Sequence, residues 1–117
     1  MRVVKWFLPI TLLILLSFSS SAQDDMMFET ISISASDDLM LIGDFYVPDM
    51  ASDAGNPTVI LFHMLGGQRS AYEPLIPDLV GAGYAVLNAD LRGHGETRGS
   101  QDWDLAVEDV QIWLDWL

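Results

Sequence analysis

The sequence predicts an α/β fold: an antiparallel hairpin at the N-terminal side, then a parallel β-α-β unit, then a further helix. Three observations carry this. The run Thr58-Val59-Ile60-Leu61-Phe62, opened by Pro57 and followed by the pair Gly66-Gly67, reads as a strand buried on both faces. A second apolar run, Tyr84–Ala89, returns after an intervening stretch with helical apolar spacing, long enough for a crossover between parallel strands. Ahead of both lie two alternating runs joined by Ser36-Asp37-Asp38, a connection that suits only a hairpin.

Taken in order, Phe28–Ser34 alternates as a half-buried strand does, and Leu39–Val47 forms its partner, with Gly43 marking an expected bulge and Pro48 ending the strand. Asp49–Asn56 is a loop of small and polar residues. After Gly67, the residues Leu75, Leu79 and Ala82, flanked by Ile76 and Val80, make an apolar helical stripe. Ser70 is placed to cap this helix, Pro74 suits its first turn, and Pro77 predicts a short or irregular start. Gly81 and Gly83 end it. Asp90–Gly99 is a glycine-rich loop at the carboxyl end of the second apolar strand. Asp102–Leu117 is a helix whose Ala106, Val110, Trp113 and Leu117 face the core, with Asp102 and Asp104 favouring its N-terminus electrostatically.

Residues 1–22 have the pattern of a secretory signal. Arg2 and Lys5 give the positive start, Trp6–Leu16 the apolar centre, and Ser20 and Ala22 the small residues of a cleavage site. The apolar run is shorter than the ~18 or more residues of a membrane span, so no stable anchor is expected. Residues 23–117 would then form the mature domain, secreted or periplasmic, and with no cysteine in the chain there is no lipid attachment at a leader cysteine. The same absence excludes disulfides, thiolate catalysis and cysteine-bound zinc. Formal net charge is −12, and without Arg2 and Lys5 it is −14. Such a surface repels phosphate backbones, so a nucleic-acid partner is excluded.

The ordered set of motifs resembles the N-terminal half of an α/β-hydrolase. More narrowly, Asp38–Pro48, Leu61–Arg69, and the pairing of Gly83–Leu87 with Asp90-Leu91-Arg92-Gly93-His94-Gly95 are similar to dienelactone-hydrolase-like and serine-aminopeptidase-like members. The resemblance covers residues 28–117 and implies a partial α/β-hydrolase fold. It implies hydrolysis of an ester, lactone, thioester or amide through an acyl-serine, with no metal or organic cofactor and a small-molecule or acyl substrate. It also implies that the backbone N–H of Leu65, with Met64 as the alternative, serves an oxyanion hole, supported by His63, Gly66 and Gly67. The family more often has glycine where Met64 stands. His63 resembles the histidine that braces this loop, and His94 fits a local hydrogen-bonding role. Neither is expected to be the catalytic base, because the family places that histidine far downstream of the nucleophile.

No Gly-x-Ser-x-Gly nucleophile turn occurs in the sequence. The resemblance implies that its strand would begin shortly after Leu117, so the chain as given is expected to be an inactive fragment. The family's strand order also implies that Thr58–Phe62 becomes a bare sheet edge without that strand. Two rivals compete with this reading. Gly93-x-Gly95-x-x-x-Gly99 approaches a dinucleotide fingerprint, but Asp90-Leu91-Arg92 separate it from the strand and Glu96, Asp102 and Asp104 would repel a pyrophosphate. The other rival is a non-enzymatic secreted binding module that uses the sheet edge.

Overall fold

The computed structural model describes residues 26–50 and 52–117, and the leader expected over residues 1–22 lies outside them. Phe28–Ser34 (β1) and Met40–Tyr46 (β2) pair antiparallel in unbroken register, from Phe28 opposite Tyr46 to Ser34 opposite Met40. The hairpin turns at Asp38, whose φ of 66° lies in the left-handed region that Asp tolerates better than most side chains. Ala85–Ala89 (β4) pairs antiparallel with β2 and parallel with Thr58–Phe62 (β3), giving the order β1-β2-β4-β3.

That order corrects one expectation and agrees with another. All residues of β4 are buried, as a central strand requires. In β3, however, Thr58 is exposed and Val59 to Phe62 are only half-buried, so the strand is not covered on both faces. It forms the sheet edge, as the family's strand order implied. Apolar content alone cannot separate a central strand from a half-buried edge.

The bulge expected at Gly43 is absent: its pairing with Ile31 on one side and Ala89 on the other is continuous. Glycine stands there for another reason. A Cβ would come within 3.2 Å of the Trp113 ring and 3.3 Å of Ala89, so the bare backbone makes room for the indole. Trp113 is 1% exposed and packs with Ile31, Ala35, Leu41, Leu87 and Ala89 on one face of the sheet.

Trp113 belongs to Trp103–Trp116 (α2), which starts at Asp102, whose carboxylate accepts the Leu105 N–H at 3.1 Å. Ala106 and Val110 are half-buried as expected, but Leu117 is 47% exposed and does not join the stripe. The position sequence spacing passed over is Asp109, a buried carboxylate on the inner face.

The opposite face carries the crossover, which is more broken than the apolar spacing suggests. Arg69–Leu75 is a 3₁₀ helix containing Pro74, and only Ile76–Gly81 (α1) is α-helical. Ser70 does not cap: the 3₁₀ segment begins after Gln68 with no side-chain cap. Pro77 falls in the first turn of α1, where its missing N–H has no intrahelical partner to lose. The end of α1 is a Schellman motif, with Gly83 (φ 92°) donating to Val80 O at 3.0 Å and Tyr84 to Leu79 O at 3.1 Å. Ile76, with Leu79 and Val80, covers Tyr46 and Val86 on this face.

Candidate active site

Because β3 and β4 run parallel, their carboxyl ends lie together, and each ends in a loop rich in polar and glycine residues. Ligands of open α/β sheets bind at such ends. After β3 come His63–Gly67, the residues the sequence singled out for an oxyanion loop. The Gly67 N–H donates to Met64 O at 2.9 Å and Gly66 has φ 80°, the arrangement of a type II turn with Leu65 at its second position.

The loop is pinned from beneath by both histidines. His63, 3% exposed, accepts the Leu91 N–H on Nε2 at 3.0 Å and is 2.9 Å from Met64 O through Nδ1. A backbone N–H can only donate, so Nε2 is the acceptor and Nδ1 carries the proton. His94 repeats this pattern: its Nε2 accepts the Gly66 N–H at 3.1 Å and its Nδ1 donates to Arg92 O at 3.0 Å. The rings lie 5.0 Å apart. With both nitrogens of each ring engaged in loop architecture, neither histidine is arranged as a general base.

Above this support Met64 and Leu65 are 75% and 61% exposed, and among the described residues neither backbone N–H finds an acceptor. The Gly66 and Gly67 N–H groups and the Met64 carbonyl are committed. The result is a short, braced segment that presents unpaired donors at the carboxyl end of the sheet.

Beside it lies a polar network that sequence reading did not foresee. Asp90, 1% exposed, accepts the Arg69 backbone N–H at 2.7 Å, the Glu96 N–H at 3.0 Å, and the Arg69 guanidinium. That guanidinium also donates to Asp44 at 2.7 Å and Glu96 at 3.1 Å, while Thr30 donates to Asp44 at 2.7 Å. Burial works against the charge on Arg69, but its hydrogen bonds to Asp44, Glu96 and Asp90 outweigh it and hold its pKa above the ordinary value. Gln68, Arg69, Ser70, Glu73, Asp90 and Glu96 line a concavity of about 230 Å³. Arg69 is saturated by carboxylates, so this hollow offers no spare cation to an anionic ligand.

The third arm of support is Arg92, 4% exposed, which grips Asp109 of α2 at 2.7 and 2.8 Å and Asp37 of the hairpin turn at 2.9 and 3.2 Å. These bonds, Asp109 first, raise its pKa. The Arg92 hydrogen bond in turn lowers that of Asp37 below 3.8. Thr97, fully buried, accepts the Ile42 N–H at 2.8 Å and ties the far end of the same loop to β2. One signal for these partners existed in the sequence: in so acidic a chain, buried arginines must be matched by carboxylates.

Among the described residues, no cluster of His, Asp or Glu is arranged to hold a metal ion, and no helix is long and apolar enough to cross a membrane.

A mixed sheet with helices on both faces and a braced loop after β3 defines an α/β-hydrolase in part. The sequence of residues 54–116, more than half the chain, matches the family model described as serine aminopeptidase, S33, and the chain belongs to that family. No curated protein gives a match. Among solved structures, the esterase Pf2001 of Pyrococcus furiosus is 25% identical with a TM-score of 0.67, the match covering 100% of this chain and 39% of the esterase. A second structure of that esterase gives 27% identity and a TM-score of 0.65, over 79% of this chain and 36% of the other. The esterase EaEST of Exiguobacterium antarcticum, 20% identical with a TM-score of 0.62 over 74% of this chain and 31% of its own, shares the fold. The chain thus spans well under half the length of the esterases it resembles.

Proposed function

We propose that this chain is the oxyanion-loop portion of an exported serine hydrolase that cleaves an ester, lactone, thioester or amide through an acyl-serine. The observation that carries the proposal is the turn Met64–Gly67, whose Met64 carbonyl and Gly66 and Gly67 N–H groups are committed while, among the described residues, the N–H groups of Met64 and Leu65 find no acceptor. A tetrahedral oxyanion needs donors that are already oriented, and a loop braced by buried histidines supplies them without reorganisation. Kinship with the serine aminopeptidase family supports hydrolysis, and the esterases named above favour acyl transfer over other chemistry.

No Gly-x-Ser-x-Gly occurs in the 117 residues, so hydrolysis requires a nucleophile, acid and base from outside them. On this reading the 117-residue product is inactive alone, needs no metal or organic cofactor, and acts outside the cytoplasm after loss of residues 1–22. The test is hydrolysis of a short p-nitrophenyl ester by the product of the reading frame continued past the Leu117 codon. Turnover blocked by a serine-directed phosphonate, with none from the 117-residue product, supports the proposal. Phosphonate-sensitive turnover by the 117-residue product refutes it. An alternative, a secreted binding module, is favoured by the exposed edge of β3. An in-frame stop after the Leu117 codon, with a folded, monodisperse product, would support that alternative.

A further inference from the structure

We propose that His94 is a positioning residue for the oxyanion loop, acting as a latch on the Gly66 N–H. The inference rests on the reading of Met64–Gly67 as an oxyanion loop and goes beyond it by assigning what holds the loop in register. Gly66 is the residue of the turn whose N–H would otherwise be free to rotate with the neighbouring donors. His94 Nε2 takes that N–H at 3.1 Å, leaving those of Met64 and Leu65 without an acceptor among the described residues. The ring is aimed by its other nitrogen, whose proton is held by Arg92 O at 3.0 Å. Arg92 is itself clamped between Asp109 and Asp37, so the loop is referenced through His94 to α2 and the hairpin. Gln101 Nε2 lies 3.4 Å from the same ring nitrogen, at the margin of a hydrogen bond, and is a weaker competitor for it.

The ring's two ends can be separated by substitution. Asparagine at position 94 reproduces the Nδ1 donor toward Arg92 O but has no acceptor that reaches Gly66. Glutamine places an amide oxygen where Nε2 stands and keeps the acceptor. Loss of one such bond changes a local opening equilibrium by about tenfold. The test is amide hydrogen exchange of Gly66, read by NMR on the 117-residue chain. His94→Asn should lose about tenfold in Gly66 protection while the β4 amides keep theirs, and His94→Gln should restore it. Equal Gly66 protection in His94→Asn and the unaltered chain would overturn the proposal, as would loss of Gly66 protection in both variants with β4 intact. Should His94→Asn fail to fold, the unaltered chain decides. A hydrogen-bond coupling between Gly66 ¹⁵N and His94 Nε2, with the proton on Nδ1, supports the latch, and a proton on Nε2 overturns it. None of these readouts depends on hydrolysis, so failure of the latch is distinguishable from failure of the oxyanion assignment.

Discussion

Gly95→Ala should be among the most damaging single-methyl changes in the chain, because of what lies against Gly95 rather than its own conformation alone. Gly95 has φ 52°, and an added Cβ would sit inside the van der Waals envelope of the Asp90 carboxylate. The left-handed backbone by itself costs an alanine about 1–2 kcal/mol. Relief of the clash must then move either the loop or the carboxylate. That carboxylate holds the Arg69 N–H, the Glu96 N–H and the Arg69 guanidinium, and each charge-assisted bond is worth roughly 1.5–3 kcal/mol. Losing one of them brings the total to about 2.5–5 kcal/mol, against the ~5–15 kcal/mol that holds an ordinary domain together. Gly55→Ala is the control: φ is 80° there, nothing lies within 4 Å, and strain alone sets a cost of about 1–2 kcal/mol. Urea unfolding followed by tryptophan fluorescence measures both. Equal destabilisation by the two substitutions would refute the argument that Gly95 is required by Asp90.

The buried Arg92–Asp109 pair predicts an asymmetry: Asp109→Ala should cost about 3–5 kcal/mol in urea unfolding, and Arg92→Met with Asp109→Leu should recover most of it. Because Arg92 lowers the pKa of Asp37 below 3.8, the stability Asp37 contributes is fully present above that value and is lost as pH falls through the folded-state pKa. The fall in thermal midpoint on acidification below pH 3.8 should therefore be shallower in Asp37→Asn. The half-buried edge strand β3 should drive concentration-dependent association, and Val59→Lys should suppress it in light scattering.

The strands and the long helix were legible because burial writes itself into short-range periodicity. Phe28–Ser34 and Thr58–Phe62 match the strands observed, and Trp103–Trp116 falls inside the helix read from its apolar stripe. The crossover was legible only in part, because Pro74 and Pro77 divide it into a 3₁₀ segment and a short α-helix that apolar spacing reads as one. Gly43 has the same appearance in sequence whether it marks a bulge or clears space for an indole, and only the position of Trp113 decides between them. The support of the site was the least legible feature. His94 reaches Gly66 across 28 residues, Arg69 reaches Asp44 across 25, and Arg92 reaches Asp37 across 55. Nothing local in the sequence specifies such partners, although Gly66 and Gly67 mark the turn that follows β3.

The oxyanion donation proposed for Leu65 is measured most directly by the kcat of Leu65→Pro in the product of the reading frame continued past the Leu117 codon. Leu65 occupies the second position of a type II turn, where proline fits, so the substitution deletes the N–H and leaves the turn in place. Its kcat should fall by about 10²–10³ with KM little changed. An unchanged kcat, or a reading frame with no Gly-x-Ser-x-Gly to receive the loop, would contradict it.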